Sequence, residues 1–415
     1  MSLIKQNMGH ILTTKYLIFA YTNRINIRQI KSFDTVIKKH KMYFFHAPFR
    51  PFFTLTALAA ILIPMYFVGI VVNGYYINEA YLSSNFWHAH EMIFGLTSAL
   101  LAGFLLTAAP KWTQGKAVSS NWTLLIFFSW IVARLIMIYQ PSELAIYIFC
   151  ALPLILLIAK LILILRGTQN AYIVLPLLSL LLLSEVFSIY GAVHENESLL
   201  ESTYQVTAFI IAALLIIFSG RLIPFFVNSK FQTQLISQNK KLDLSIVGIS
   251  LGALIFSLIN LKFATATLSF SCFLLLSFRF KIYFLKKILK VPMLWILFLG
   301  HLWLNTYFLL NSLALYLGPL TEARAVLHAL YAGALGTFAV GMMTRVSLGH
   351  SGLEMKATKL IIFSFISIFI GALTRVFHPI FFGGLHGTLL HISMGFWTLS
   401  FILFLIKFFP KFIKK

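Results

Sequence analysis

Long apolar runs separated by short polar breaks constrain the fold of this chain more than any other feature. An α-helix needs about 20 apolar residues to cross the hydrocarbon core of a bilayer, and the chain holds about twelve such runs. Of its 415 residues 60% are hydrophobic and 11% are charged, whereas soluble domains carry about 25% charged residues. The sequence therefore predicts an all-α, polytopic integral membrane protein with about twelve transmembrane helices.

Polar residues mark the ends of the predicted spans to within ~4 positions. The spans are residues 52–73, 88–109, 121–139, 143–165, 172–191, 204–220, 244–260, 264–284, 293–316, 324–344, 358–376 and 386–408. Neither a soluble domain nor an obvious repeat interrupts them. Residues 48–415 are therefore predicted to form a single transmembrane domain.

The charged side chains lie mainly in the breaks between the apolar runs. Lys and Arg number 33 against 11 Asp and Glu, for a net charge of +22. This placement favours membrane lipids as partners over nucleic acid. Breaks with basic residues alternate with breaks without them, and the positive-inside rule then places both termini in the cytoplasm.

The first 47 residues are predicted to be a basic cytoplasmic N-terminal extension. Residues 1–42 lack the continuous apolar core and cleavage site of a secretory signal. They are either a cytoplasmic tail or sequence upstream of a start at Met42.

The start of the second run holds two imidazoles, His88 and His90, at the predicted outer mouth. Polar groups are costly inside a bilayer and usually serve a function there. On a regular helix His88 shares a face with Gly95, Ala99 and Gly103, and His90 points nearly opposite. We predict both as metal ligands, with His88 facing the seam of small residues and His90 serving another centre or a non-helical start. The alternative is that both cap the helix or bond to neighbours.

The tenth run brings another imidazole, His328, to a similar depth. Two small-residue helices that each present an outer histidine suit axial ligation of a haem, or a copper site of neutral imidazoles. The alternative for His328 is a hydrogen-bonded core residue. His391 in the twelfth run is the next candidate ligand. Three further histidines are predicted to be solvated loop groups, namely His194, His378 and His386. His301 is predicted to be a separate, hydrogen-bonded residue.

Two charges, Arg134 and Glu185, lie within the outer halves of the third and fifth runs. The simplest interpretation is that they neutralise one another, because an unpaired charge is costly there. The alternative is that Arg134 binds a polar group of a cofactor.

Three arginines lie at predicted cytoplasmic ends, each near proline or glycine: Arg50, Arg221 and Arg345. Each could bind a haem propionate or a phosphate bidentately, and His350 could add a metal ligand or proton donor. The alternative is anchoring to lipid headgroups.

The two cysteines, Cys150 and Cys272, are far apart within apolar runs and are predicted to be packing residues. The chain has no Cys-x-x-Cys-His motif, so any haem should be non-covalent haem b, reduced by a separate electron donor.

The combined motifs resemble the NnrS family of bacterial membrane proteins. They are residues 48–53 (PFRPFF), 87–92 (WHAHEM), 102–108 (AGFLLTA), 220–224 (GRLIP), 327–330 (LHAL) and 343–350 (MTRVSLGH). The resemblance implies about twelve transmembrane helices and a haem- and copper-containing protein of the cytoplasmic membrane. It also implies a role in nitric oxide metabolism or tolerance of nitrosative stress.

Carried over by position, the first histidine motif matches His88, His90 and Glu91, and the tenth-helix motif matches His328. Arg345 and His350 match the Thr-Arg…Gly-His motif.

Two other functions stay open. One is a proton-coupled transporter that uses the same histidine, glutamate and arginine side chains along its pathway. The other is a scaffold for assembly of another metalloenzyme. The sequence leaves open whether the protein is an enzyme, a sensor or a scaffold.

Overall fold

A computed structural model describes residues 43–74, 79–234, 236–318, 323–382 and 386–414 of the chain. These residues are helical with short connections, and they include no strand. The predicted all-α class is confirmed. The N-terminal extension up to Met42 and the side chain of His386 lie outside the described residues.

Twelve helices in the described residues are long and apolar enough to span a membrane, which confirms the predicted number. In chain order they are α1 (Phe49–Val71), α2 (Ser84–Trp112), α3 (Ser120–Tyr139), α4 (Glu143–Leu165), α5 (Ala171–Val193), α6 (Glu197–Phe231), α7 (Lys240–Leu258), α8 (Lys262–Tyr283), α9 (Pro292–Leu317), α10 (Ala325–His350), α11 (Lys359–Phe381) and α12 (Gly387–Ile413).

Helix α6 differs most from its predicted span. It has 35 residues, which at 1.5 Å each is about 52 Å, well beyond the ~30 Å of a hydrocarbon core. The prediction stopped at the polar residues, but the helix continues past them at both ends. Asn196 caps its start by accepting a hydrogen bond from the Leu199 amide at 3.0 Å.

Four helices form the centre of the bundle. Between 67% and 78% of the apolar windows of α2, α6, α9 and α10 is buried within the protein, against 22–56% for the other eight. Helix α9 packs against α6 and α10, and α1 packs against α2 and α12. A site built on α2 and α10 therefore lies inside the bundle.

Three helices contain a π-helical segment, in which one extra residue per turn shifts the helix face. Residues Phe67–Val71 end α1, Glu91–Gly95 interrupt α2 and Ala329–Leu335 interrupt α10. The regular-helix phasing predicted for α2 is therefore wrong. Gly95 faces α3, whereas Gly103 faces Phe53 of α1, so the two glycines do not form one seam.

A repeat joins α1–α2 to α9–α10. His90, Gly95 and Gly103 recur with the same spacing in α10 as His328, Gly333 and Gly341, and in both helices the histidine directly precedes the π segment. Gly103 admits Phe52 and Phe53 of α1, and Gly341 admits Ile296 and Leu297 of α9. The match between the two halves is limited to these few positions, which is why no repeat is obvious in the sequence.

Candidate functional site

The start of α2 is fixed by its own polar residues. Ser83 accepts a hydrogen bond from the Phe86 amide at 3.3 Å. Glu79, in the preceding loop, accepts bonds from the Ser84 amide at 2.7 Å and from the Ser84 hydroxyl. These bonds stabilise the carboxylate and lower the pKa of Glu79. The two histidines are thus held on an ordered helical turn.

His88 is stacked on an aromatic ring. Its imidazole lies 4.0 Å from the ring of Phe67, at an interplanar angle of 14°. Arg375 of α11 is close enough to act on it electrostatically. Within the described part of the chain, the buried Nδ1 of His88 has no hydrogen-bond partner. In the tautomer that carries its proton on Nε2, this Nδ1 has an unused lone pair, which a metal ligand requires.

His90 lies in a buried cluster of charges. Its Nδ1 is 3.2 Å from Oε1 of Glu91, and its Nε2 is 3.4 Å from Oε1 of Glu185. The Nε of Arg134 is 3.0 Å from Oε2 of Glu91. His90, Glu91 and Glu185 expose 2% of their surface or less. We call these four residues the His90 cluster.

This arrangement corrects the predicted Arg134–Glu185 pair. Arg134 pairs with Glu91 instead, and His90 connects Glu91 to Glu185. Both ring nitrogens of His90 face carboxylates, so this residue fits a charge relay better than it fits a metal ligand. Its predicted ligand role stays a prediction.

Gly95 makes room for the His90 cluster. A Cβ atom at this position would overlap the guanidinium of Arg134 and lie 3.1 Å from Oε2 of Glu91. Trp130 donates to the Gly95 carbonyl at 2.8 Å and lies under Arg134, with the guanidinium 5.1 Å from its ring. Cys150, 1% exposed, neighbours Arg134. Cys150 is a packing residue, as predicted, but it packs against charged side chains.

His328 is half-buried directly before the π segment of α10. In the repeat it is the counterpart of His90, and Val326 is the counterpart of His88. The described residues contain no group of three or more His, Cys, Asp or Glu side chains that could hold a metal ion. This finding is relevant to a copper site that needs several such ligands. A haem needs only one or two axial ligands and does not require such a group.

The remaining candidate histidines lie elsewhere. His391 is exposed on α12, with Nδ1 2.7 Å from the carbonyl of Gly387. His194 is exposed, as predicted. His378 is not a loop group as predicted: it lies in α11, 1% exposed, and bonds to the Thr374 carbonyl at 2.9 Å.

The residues predicted to face the cytoplasm, called the inner residues below, lie at the opposite helix ends from the predicted outer histidines. Lys111 at the end of α2 is 23 residues after His88, about 35 Å along the axis. Its Nζ is 3.1 Å from Nε2 of His350, whose ring lies 5.4 Å from that of Phe49. His350 and the outer histidines therefore belong to separate sites.

Among the inner arginines, two are buried. Arg50 donates to the Tyr43 carbonyl and covers the ring of Tyr43 at 3.7 Å. Arg345 donates to the Met293 carbonyl at 2.7 Å and lies 4.0 Å from the ring of Phe226.

The third inner arginine, Arg221, is exposed and donates to Asn170 at 3.0 Å. None of the three is paired with a carboxylate among the described residues. An anionic group could therefore bind at this end.

One buried cluster was missed from the sequence. Arg279, fully buried, donates to Asp243 at 2.8 Å, to the Ser219 hydroxyl at 2.7 Å and to Nδ1 of His301 at 3.2 Å. A Cβ atom at Gly220 would overlap the Asp243 carboxylate, so the glycine of the GRLIP motif was the available signal.

His301 is hydrogen-bonded, as predicted. It accepts from Arg279 at Nδ1, so its proton lies on Nε2, 3.1 Å from the carbonyl of Leu276. Every polar atom of its ring is thereby used. This cluster holds α9 against α6, α7 and α8 and is a structural element of the bundle.

Comparison with known proteins gives one result. The family model described as "NnrS protein" matches residues 43–415, the whole of the described chain. No curated protein matches the chain.

Proposed function

Because the chain belongs to the NnrS family, we propose that it binds haem and copper in the bacterial cytoplasmic membrane and acts in nitric oxide metabolism or tolerance of nitrosative stress. Family membership and the twelve helices support a multi-pass bacterial membrane protein connected with the nitric oxide response. The bound cofactors, the residues that hold them and the location in the bacterial cytoplasmic membrane are parts of the proposal.

The observation that carries the proposal is the unused Nδ1 of His88. In a low-dielectric interior an unsatisfied polar atom costs free energy, so its retention is explained if it binds a ligand. The stacked ring of Phe67 fixes the plane of the imidazole. His88 would therefore hold the haem iron, with His328 on α10 as the proposed second imidazole.

Bound haem would supply an iron that takes diatomic ligands and exchanges electrons, which is the chemistry that nitric oxide metabolism uses. The protein's own residues would hold it and set its surroundings. Arg375 places a positive charge near His88, which suits an anionic group of the cofactor. Arg50, Arg221, Arg345 and His350 lie too far from His88 to act on the same group, so they would bind a second anionic group or lipid phosphate.

The test is a haem and copper inventory of the purified protein. His88→Ala and His328→Ala should each remove most of the Soret absorbance, and exposed His194→Ala, the control, should leave it unchanged. A colourless wild-type protein from haem-replete cells, without copper by elemental analysis, would refute the proposal. Equal haem content in His88→Ala and His194→Ala would refute the assignment of His88.

A second candidate function rests on the His90 cluster. Carboxylates and an imidazole within hydrogen-bond reach inside a membrane form the kind of group that carries protons in pumps and transporters. Proton-coupled uptake by metal-free protein in liposomes, lost in Glu185→Gln, would favour a transporter over the metalloprotein.

A further inference from the structure

Three basic side chains from three different helices lie close together at the inner end of the bundle. Arg50 is in the first turn of α1, Lys111 is in the last turn of α2, and His350 is the last residue of α10. Lys111 and Arg50 both act electrostatically on His350. We call these three residues the basic triad.

Lys111 and His350 are within hydrogen-bond distance of each other. The Nζ of Lys111 is 3.1 Å from Nε2 of His350. An ammonium group has donors only, so Lys111 donates to Nε2 and the imidazole proton then lies on Nδ1. In the described part of the chain, no acceptor contacts this Nδ1 or the other two ammonium protons. The pair therefore has donors left for a further group.

Arg50 approaches His350 across the ring of Phe49. The guanidinium carbon lies 5.6 Å from the centre of this ring, and the His350 ring lies 5.4 Å from it. One terminal nitrogen of Arg50 donates to the Tyr43 carbonyl. Its Nε is buried and has no hydrogen-bond partner among the described residues. The guanidinium has five donors in all, so it too can bind a further group.

The basic triad has no counter-charge among the described residues. The ion pairs found there all involve other side chains. Arg50 is only 8% exposed, and burying a cation without a partner costs free energy. Basic residues at the ends of α2 and α10 interact favourably with the helix dipoles. That effect explains each residue alone, but it does not explain why two basic groups are in contact.

We propose that the basic triad binds a phosphate group. A phosphate group presents several strong acceptor oxygens in a tetrahedral arrangement, so it accepts from donors that approach from different sides. The donors of the triad come from three helices, whereas a carboxylate offers two oxygens in one plane. The group belongs to free phosphate or to an anionic lipid headgroup. The proposal adds Lys111 to the inner residues considered above and is independent of haem and copper binding.

The probes are inorganic phosphate and dioctanoyl phosphatidic acid, each titrated calorimetrically into the purified, delipidated full-length protein in a neutral detergent. The wild type should bind one molecule per chain of at least one probe. Lys111→Gln should weaken this binding about tenfold or more, because a hydrogen bond between charged groups is lost. Lys230→Gln is the matched control, because Lys230 is also an exposed lysine in the last turn of a helix, α6. It should leave binding unchanged.

The two probes distinguish the sources of the phosphate group. Tighter binding of phosphatidic acid than of inorganic phosphate would assign the site to a lipid headgroup, and equal or weaker binding would assign it to free phosphate. Lys111 is exposed, so the variant should fold, with size-exclusion chromatography as the check.

Absence of saturable binding of both probes would overturn the proposal, as would equal effects of Lys111→Gln and Lys230→Gln. Displacement of the bound probe by equal concentrations of acetate would overturn the assignment to a phosphate group.

Discussion

Gly95 is the position at which a single methyl group should do most damage to the His90 cluster. In Gly95→Ala the added Cβ would occupy the space of the Arg134 guanidinium, so Arg134 must move and its 3.0 Å contact with Glu91 is lost. Glu91 is 2% exposed and the Arg134 side chain 12%, so this is a nearly buried pair. Separating such a pair costs about 3–5 kcal/mol.

Alanine in place of a helical glycine gains about 0.5–1 kcal/mol. The net loss is then about 2–4 kcal/mol, or roughly 30-fold or more in the unfolding equilibrium constant. Titration with SDS in mixed micelles, followed by circular dichroism, measures this constant. Gly248→Ala is the matched control, because no atom lies within 4 Å of its Cβ position in the middle of α7. It should be neutral or slightly stabilising.

A double substitution isolates the cause. In an Arg134→Leu background the guanidinium is absent, so Gly95→Ala should cost little more than Arg134→Leu alone. If Gly95→Ala is as stable as Gly248→Ala in the wild-type background, the assigned packing of Arg134 against Gly95 is refuted.

Two further predictions concern the other polar contacts. Asp243→Asn leaves the fully buried Arg279 without its counter-charge and should lower the free energy of unfolding by about 3–5 kcal/mol. Much of the yield should then be lost as aggregate on size-exclusion chromatography. The double variant Asp243→Asn with Arg279→Met should recover monodisperse protein, and no recovery would contradict the pairing. Because the pKa of Glu79 is lowered by its bonds from Ser84, the stabilisation of the start of α2 is present above the ordinary carboxyl pKa and is lost as pH falls through the lowered value. Hydrogen exchange at the Ser84 amide should therefore accelerate in acid, and Glu79→Ala should remove that dependence; an unchanged acid dependence in the variant would contradict it.

The spans could be predicted from the sequence because each depends on a local property, the length of an apolar run. The ends of α6 could not be predicted. Polar residues follow an apolar run both where a helix ends at the bilayer surface and where a helix extends beyond it. The π segments were equally hidden. One extra residue in a turn leaves composition unchanged, yet it turns Gly95 towards α3 and defeats any phasing from regular geometry.

The charge pairs show a second limit. Arg134 and Glu185 were correctly identified as intramembrane charges, but which carboxylate Arg134 meets depends on how α2, α3 and α5 pack. The partner of Arg279 depends on helix packing in the same way, and the sequence around Arg279 resembles a basic loop. In both cases a nearby glycine marked the pair. Gly95 and Gly220 each lie where a Cβ atom would overlap a charged group.

The repeat separates the roles of the outer histidines. Gly95 and Gly333 are equivalent positions, but Gly95 admits Arg134 whereas Gly333 admits the ring of Trp303. Ala329 stands in α10 where Glu91 stands in α2. Among the described residues, the charged network therefore belongs to the α2 half of the repeat, and the equivalent position in the α10 half holds an aromatic ring. Loss of proton uptake in Glu185→Gln and loss of haem in His328→Ala should therefore be independent effects, measurable in the same preparation.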